Sequence, residues 1–283
     1  MPNQLSLPTL KVINSSLTAL TFDEQIQTIL NWASCKESKT VCVANVHMLM
    51  EAYSQSDFAR VLEDADLVTS DGMPLVWMMR LMGAFDQQRV AGLDILDSVC
   101  QLAQERGVSV FFLGSTAEIL EPMRKRLEGE FPKLKIAGME PLPFRPLTPS
   151  EDQAIINEIN ESGAGLVFVS LGCPKQERWM AQRKGKIKAV MIGLGGAFPV
   201  YAGIHKRAPR WVRDKGLEWF YRLLQEPRRL WKRYIETIPP FIWLALKQLL
   251  IKAVNEVKFC KKKSRSTKTQ LRGNGRAREE LLT

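Results

Sequence analysis

The chain has 283 residues, 45% of them hydrophobic and 25% charged, a balance ordinary for a globular protein with a large core in one or two domains. Its five cysteines, an odd number with no C-x-x-C pair, argue against a disulfide framework and suit a reducing cytoplasm. The formal net charge of +10 belongs to the C-terminal part, because residues 205–283 hold 21 Lys or Arg against 7 Asp or Glu and the first 204 residues balance at −4. That asymmetry implies an acidic partner, either phospholipid headgroups or nucleic acid.

The opening stretch MPNQLSLPTLKV lacks a positive region followed by an apolar one, so no secretory signal is expected. No uninterrupted apolar run reaches the ~18 residues of a spanning helix. From there, short apolar runs alternate with helical patterns. TVCVAN (40–45) reads as a strand and HMLMEAYSQSDFARVLEDA (47–65) as a helix. DLVTS (66–70) is a strand, followed by a helix from about Pro74. GLDILDSVCQLAQERG (92–107) is a helix ending on Gly107, a C-cap signal. VSVFFLGS (108–115) is a continuous apolar strand before the helix TAEILEPMRKRLEGEFP. KIAGM, GLVFVSLG and KAVMIGLGGAF read as further strands, separated by the helices SEDQAIINEINESG and PKQERWMAQRK. Continuous apolar strands between helices predict a doubly wound, mostly parallel α/β sheet covered on both faces, a Rossmann-like fold.

The texture changes at residue 205. Trp211, Trp219, Phe220, Tyr221, Trp231, Tyr234, Phe241 and Trp243 fall within 33 residues, with arginines between them. The composition divides the chain into an α/β domain over 1–204, a basic aromatic helical appendage over 205–258 and a polar basic tail over 259–283. The tail lacks apolar periodicity and is expected to be disordered. IPPFIWLALKQLLI (238–251) is apolar but broken by Lys247 and Gln248, so it is expected to lie on a bilayer.

Five strand ends carry polar or glycine residues: Asn45-Val46-His47, Asp71-Gly72, Gly114-Ser115-Thr116, SLGCPKQE (170–177) and Gly193-Leu194-Gly195-Gly196. Ligands of such sheets bind at the carboxyl ends of the strands. Glycine turns let backbone N–H groups approach a phosphate, and Gly114, Gly172 and Gly195, with Gln176 and Glu177 at a helix start, are the candidates. Tight turns alone would also explain each one. Asp71 reads as a helix cap, the commoner role of an aspartate at such a junction, or as a catalytic base.

Other chemistries fit poorly. GLGGAF is not G-x-G-x-x-G, since Phe198 stands at the last glycine position, and it closes the α/β region where a dinucleotide fingerprint opens one. The two histidines, His47 and His205, stand without metal-ligand spacing, which argues against a metal site. A nucleic-acid-binding protein would account for the basic tail but leaves the five turns without purpose.

LVFVSLGCPKQERWM, GLGGAF with YAG and KRAPRW after it, and GLEWFYRLLQEPRRLWKRY closely resemble the WecG/TagA/CpsF glycosyltransferase family. A-N-V, SDGMP and R-V-A-G-L-D (89–94) agree with it as well, so the resemblance covers about residues 10 to 245. It implies an inverting, metal-independent enzyme without cofactor, moving an N-acetylmannosamine-type sugar, or a related hexose, from a UDP-sugar donor. The implied acceptor is an undecaprenyl-diphosphate-linked sugar on the cytoplasmic face of the cell membrane. Assembly of cell-surface polysaccharide or teichoic acid is the setting, peripheral contact with an anionic membrane surface is implied and nucleic acid is not a partner. Family members can self-associate through the α/β domain, which leaves a homo-oligomer open. The resemblance implies Asp71 as general base, Asn45, Arg89 and Gln176 as donor-site residues, and an arginine-rich appendage that closes over the site.

With arginine in place of a metal on the diphosphate, Arg222 and Arg229 are favoured, seven apart and so on one helical face, with Arg207 next. His47 fits a structural or acceptor-side role better than catalysis. Two departures bear on the donor: the family often has threonine where Val43 stands, and G-A-F-D where this chain has Ala197-Phe198-Pro199.

Overall fold

The structure, a computed structural model, describes residues 7–143 and 145–279, with the backbone alone for residue 257 and residues 259–279. The first element is a hairpin that the sequence does not announce, β1 (Thr9–Val12) and β2 (Ser15–Thr18), antiparallel with Val12 opposite Ser15. Its turn places Ile13 at φ 57, a region β-branched residues rarely enter, so no turn signal is legible there. Helix α1 (Phe22–Ser34) starts on a capping box in which Thr21 Oγ1 accepts from Glu24 N–H and the Glu24 carboxylate accepts from Thr21 N–H.

Six strands form the main sheet: β3 (Lys39–Ala44), β4 (Leu67–Ser70), β5 (Val110–Gly114), β6 (Ile136–Glu140), β7 (Leu166–Ser170) and β8 (Val190–Gly193). Their order is β4-β3-β8-β7-β5-β6 and every pair is parallel, the doubly wound sheet that the apolar runs predict. The connecting helices are α2 (Val46–Ser54), α3 (Ser56–Glu63), α4 (Met73–Met82), α5 (Gly92–Arg106), α6 (Ala117–Glu130), α7 (Pro149–Glu161) and α8 (Lys175–Arg183).

The expected 47–65 helix is two helices. Gln55 breaks it with φ −125 and ψ 105, and Arg178 from α8 holds the break by bonding Gln55 at 2.8 Å and Asp57 at 2.5 Å. The central strands are mostly apolar because both faces are covered, whereas the edge strand β6 is only partly buried. Val41 and Val43 join the layer under α1 and α5, where Phe112 packs on Phe168 and Phe198 with ring centroids 5.2 and 5.9 Å apart. Val43, a departure from the family pattern, is thus a core residue, 7% exposed.

Past β8 the chain forms α9 (Phe198–Tyr201), α10 (Arg210–Asp214), α11 (Glu218–Gln225) and α12 (Pro227–Glu279). Two compact units divide the chain after Phe241. The first takes in α10, α11 and the start of α12, well beyond the composition change at residue 205, with Ala208, Val212, Leu230 and Phe241 buried in it. In the second, α12 exposes Ile242, Trp243, Leu246, Leu250, Ile251 and Val254.

By length and composition, Pro227–Glu256 is one helix able to cross a membrane. No uninterrupted apolar run announces it, because Arg228, Arg229, Lys232, Arg233, Glu236, Lys247 and Lys252 interrupt the segment. The backbone of α12 runs through residues 259–279, most of the segment expected to be disordered; the side chains of 259–279, and residues 280–283 altogether, lie outside the described residues.

Candidate active site

The connection out of β3 runs outward to β4, whereas its other neighbour, β8, is reached through β7. The loops after β3 and β8 therefore part at the carboxyl edge, the place where such sheets hold ligands. Asn45 follows β3 and Asp71 follows β4, and the two strand ends are stitched together by Asp71 N–H donating to Ala44 C=O at 2.8 Å. Asn45 is the N-cap of α2, its Oδ1 accepting from Met48 N–H at 3.2 Å. Asp71 is not a cap: that position falls on Gly72, and no side chain caps α4. The Asp71 carboxylate is left for other work.

Burial pushes the Asp71 pKa up to about 6, the Glu218 carboxylate adds to the rise, and the Arg89 and Arg222 guanidiniums hold it back. These neighbours form one network. Arg89 lies 2.5 Å from Glu218 and 3.5 Å from Asp94. Arg207 bonds the other Asp94 oxygen, and Arg222 lies 3.4 Å from Glu218, one helical turn along α11. Although burial disfavours the Arg89 charge, the Asp71, Glu218 and Asp94 carboxylates outweigh it and hold its pKa above the ordinary value.

Arg222 also reaches the end of β8: a methyl group placed on Gly196 would sit 3.3 Å from its Nη1. The turn before α11 rests on α4, where a methyl group on Gly216 would meet the Trp77 ring at 2.9 Å and Met73 Cβ at 3.0 Å. The appendage is thereby placed beside Asp71.

Arg229 is elsewhere. Glu226 leaves the helical conformation (φ −130, ψ 57) immediately before Pro227, as residues before proline tend to. The seven-residue spacing of Arg222 and Arg229 therefore does not put them on one helical face, and Arg229 pairs with Glu226 at 2.5 Å with its side chain 64% exposed.

The loops after β7 and β8 are braced from inside. Gln176 is buried, and its Oε1 accepts from both Gly172 N–H and Gly195 N–H at 3.1 Å while its Nε2 donates to Glu177 at 2.7 Å. A methyl group on Gly195 would fall 2.7 Å from that Oε1 and 3.0 Å from Gly172 N, so glycine is required there by the brace. At Gly114, φ is +89 and a methyl group would sit 2.5 Å from the Ser170 carbonyl. Gln176 and Glu177, expected to face substrate, are 5% and 1% exposed and face each other. Burial raises the Glu177 pKa.

His47 is driven down to about 4 by burial and by the nearby Arg233 charge, so it is neutral at pH 7. Among the described residues, no group of three or more His, Cys, Asp or Glu could hold a metal ion. Sequence reasoning missed Glu218 and Asp94. Both stand in stretches that carry the family resemblance, but an acid in the first turn of a helix reads as a simple complement to the helix dipole.

Residues 10–255 match the glycosyl transferase WecG/TagA/CpsF family. A protein of Bacillus subtilis (strain 168), named N-acetylglucosaminyldiphosphoundecaprenol N-acetyl-beta-D-mannosaminyltransferase, is 31% identical over 237 residues, 83% of this chain and 88% of its own. A protein of the same name from Bacillus spizizenii (strain ATCC 23059 / NRRL B-14472 / W23) is 33% identical over 208 residues, 73% of this chain and 78% of its own. This chain belongs to the WecG/TagA/CpsF family and is a glycosyltransferase.

Proposed function

We propose that the enzyme moves an N-acetylmannosamine-type sugar, or a related hexose, from a UDP-sugar to a sugar carried on undecaprenyl diphosphate, with inversion and without a metal. The observation that carries this reading is a carboxylate with a pKa of about 6 at the end of β4, with Arg89 and Arg222 beside it. Both relatives are named for an acceptor bearing undecaprenyl diphosphate and for transfer of N-acetylmannosamine.

In this reading the acceptor hydroxyl oxygen attacks the anomeric carbon and its proton passes to Asp71. The bond from that carbon to the phosphate oxygen breaks, and UDP leaves with the electron pair. Arg222, lying over Gly196, meets the charge that develops on the departing diphosphate. Gln176 serves indirectly by holding the loops that end at Gly172 and Gly195 in register. Asn45, Arg89 and Arg207 line the donor side of the same edge. Arg229, exposed and paired with Glu226, is assigned to the anionic membrane surface, together with the half-exposed Trp211, Phe220 and Trp231. The site then works on the cytoplasmic face, where the activated donor and the lipid carrier meet.

The test is a donor screen against N-acetylglucosaminyl-diphosphoundecaprenol with purified protein. UDP-N-acetylmannosamine is expected to give a disaccharide-lipid product in the presence of a chelator. Transfer from a different UDP-hexose alone would displace the proposed donor, and dependence on added divalent ions would displace the metal-free mechanism.

A further inference from the structure

The chain uses an acid from its appendage to organise two arginines, a role the proposed chemistry does not by itself require. Glu218 begins α11, 129 residues away from Arg89, and its side chain is 23% exposed against 14% for Arg89. Its carboxylate lies 2.5 Å from Arg89 and 3.4 Å from Arg222. An i,i+4 pair on a wet helix surface holds its arginine loosely. Here Arg89 adds a second, well-shielded cation on the same carboxylate, and the helix can no longer turn without breaking the contact.

We propose that Glu218 is the positioning residue of the site: gripped by Arg89, its carboxylate fixes α11 so that Arg222 lies over Gly196 at the end of β8, beside Asp71. The proposal rests on the reading of Asp71 and Arg222 as parts of a sugar-transfer site. A count of charges sharpens it. Arg89, Arg207 and Arg222 face Asp71, Asp94 and Glu218, three against three. The network gains one positive charge when Asp71 takes the acceptor proton, the moment at which the leaving diphosphate needs it. Removing the Glu218 charge gives the resting site that surplus too early and favours the ionised form of Asp71.

The charged groups facing Asp71 are Glu218 and Arg222 from α11, Arg89 from the segment before α5, and Asp94 from α5 itself. Of these, Glu218 and Asp94 raise the Asp71 pKa, while Arg89 and Arg222 lower it. Glu218→Gln keeps the shape and removes the charge. The turn of Gly216 against Trp77 remains as a second anchor, so the variant is expected to fold.

Three readouts follow for the full chain. Amide hydrogen exchange across residues 217–226 is expected to speed up about tenfold, the effect of losing a charged hydrogen bond. Transfer from UDP-N-acetylmannosamine is expected to fall at least about tenfold, in kcat more than KM, with the acid limb of the pH profile moved to lower pH. In an Arg222→Ala background the same substitution is expected to cost little, because Glu218 acts through that arginine. Unchanged exchange in Glu218→Gln, or an equal loss of transfer with and without Arg222, overturns the proposal.

Should Glu218→Gln fail to fold, Glu218→Asp, which keeps the charge but shortens the reach, is expected to lose kcat while leaving the acid limb in place; full kcat in that variant overturns the proposal. If the wild-type protein transfers no sugar from any UDP-hexose, the functional reading fails, and the exchange measurement still decides whether Glu218 fixes α11.

Discussion

Arg89 and Glu218 meet at 2.5 Å across 129 residues of chain, and that contact joins the α/β sheet to the basic appendage at the site. One partner follows β4 and the other opens α11, so Asp71 and Arg222, the proposed base and the proposed arginine for the leaving group, are supplied by segments far apart in the chain.

Asp71→Asn is expected to fold normally and to lose about 10²–10⁴-fold in kcat, the usual contribution of a positioned base. It should also be more stable than the wild type at pH 8. The sign follows from a folded pKa of about 6 against an unfolded value near 3.8. The native state binds the proton more tightly, so ionised Asp71 costs stability in full above its folded pKa, and that cost fades as the pH falls from the folded value to the unfolded one. Roughly 1–3 kcal/mol is expected at pH 8 and little at pH 4, read as the difference between urea unfolding curves of the two proteins.

In the wild type, the acid limb of kcat/KM is expected near pH 6, the value to which burial and Glu218 lift Asp71. Titration of His47 should not contribute there, since its pKa lies about 4. His47→Gln is the control: a profile that loses its limb in this variant would transfer the role from Asp71 to His47.

Gln176→Ala removes the acceptor for two backbone N–H groups and the donor to Glu177. Unsatisfied buried groups cost about 1–3 kcal/mol each, so a loss of roughly 2–4 kcal/mol in unfolding free energy is expected, with transfer falling as the loops slacken. Gly195→Ala attacks the same brace from the other side, pressing a methyl group against Gln176 Oε1 and Gly172 N. About 1–3 kcal/mol is expected from that overpacking, visible as a lower melting temperature.

Arg222→Ala and Arg229→Ala should separate cleanly. Arg222 sits at the β8 end within electrostatic reach of Asp71, whereas Arg229 pairs with Glu226 in water. Steady-state kinetics with a short, water-soluble lipid analogue are expected to show a loss of about 10²-fold for Arg222→Ala, on the scale of one lost oxyanion donor. The loss for Arg229→Ala should stay below about threefold, since exposed ion pairs contribute little.

Membrane contact has a salt signature. Cosedimentation with vesicles containing anionic lipid is expected to weaken as ionic strength rises past the point where the Debye length falls to about 8 Å. Trp211→Ala and Trp231→Ala should weaken it further at fixed salt, because those rings are exposed beside basic residues. Equal binding to neutral vesicles would remove the electrostatic part of the reading.

Much of this protein is legible without coordinates. Apolar runs such as GLVFVSLG and VSVFFLGS give the parallel sheet because a strand covered on both faces has no polar side to alternate. The position of Asp71 directly after one such run places it at a ligand-bearing edge. The hairpin of β1 and β2 is not legible, because its turn uses an isoleucine at positive φ, against ordinary preference. The facing of Arg222 and Arg229 is misread from their spacing, because a helical repeat of seven holds only while the helix is continuous and Glu226-Pro227 interrupts it.

By itself the sequence determined the parallel sheet, most of its connecting helices, the family and the strand ends where polar groups collect; these depend on periodicity and on residues adjacent in the chain. Only the tertiary structure decided that Asn45 is a helix cap and Asp71 is not, that Gln176 turns inward to bind two loops, and that Glu218 ties Arg89 to Arg222. Each of those outcomes depends on which groups are left unpaired when distant segments meet. Hydrogen bonds and charges become costly to leave unmet only after packing has removed the water, and no local pattern records that.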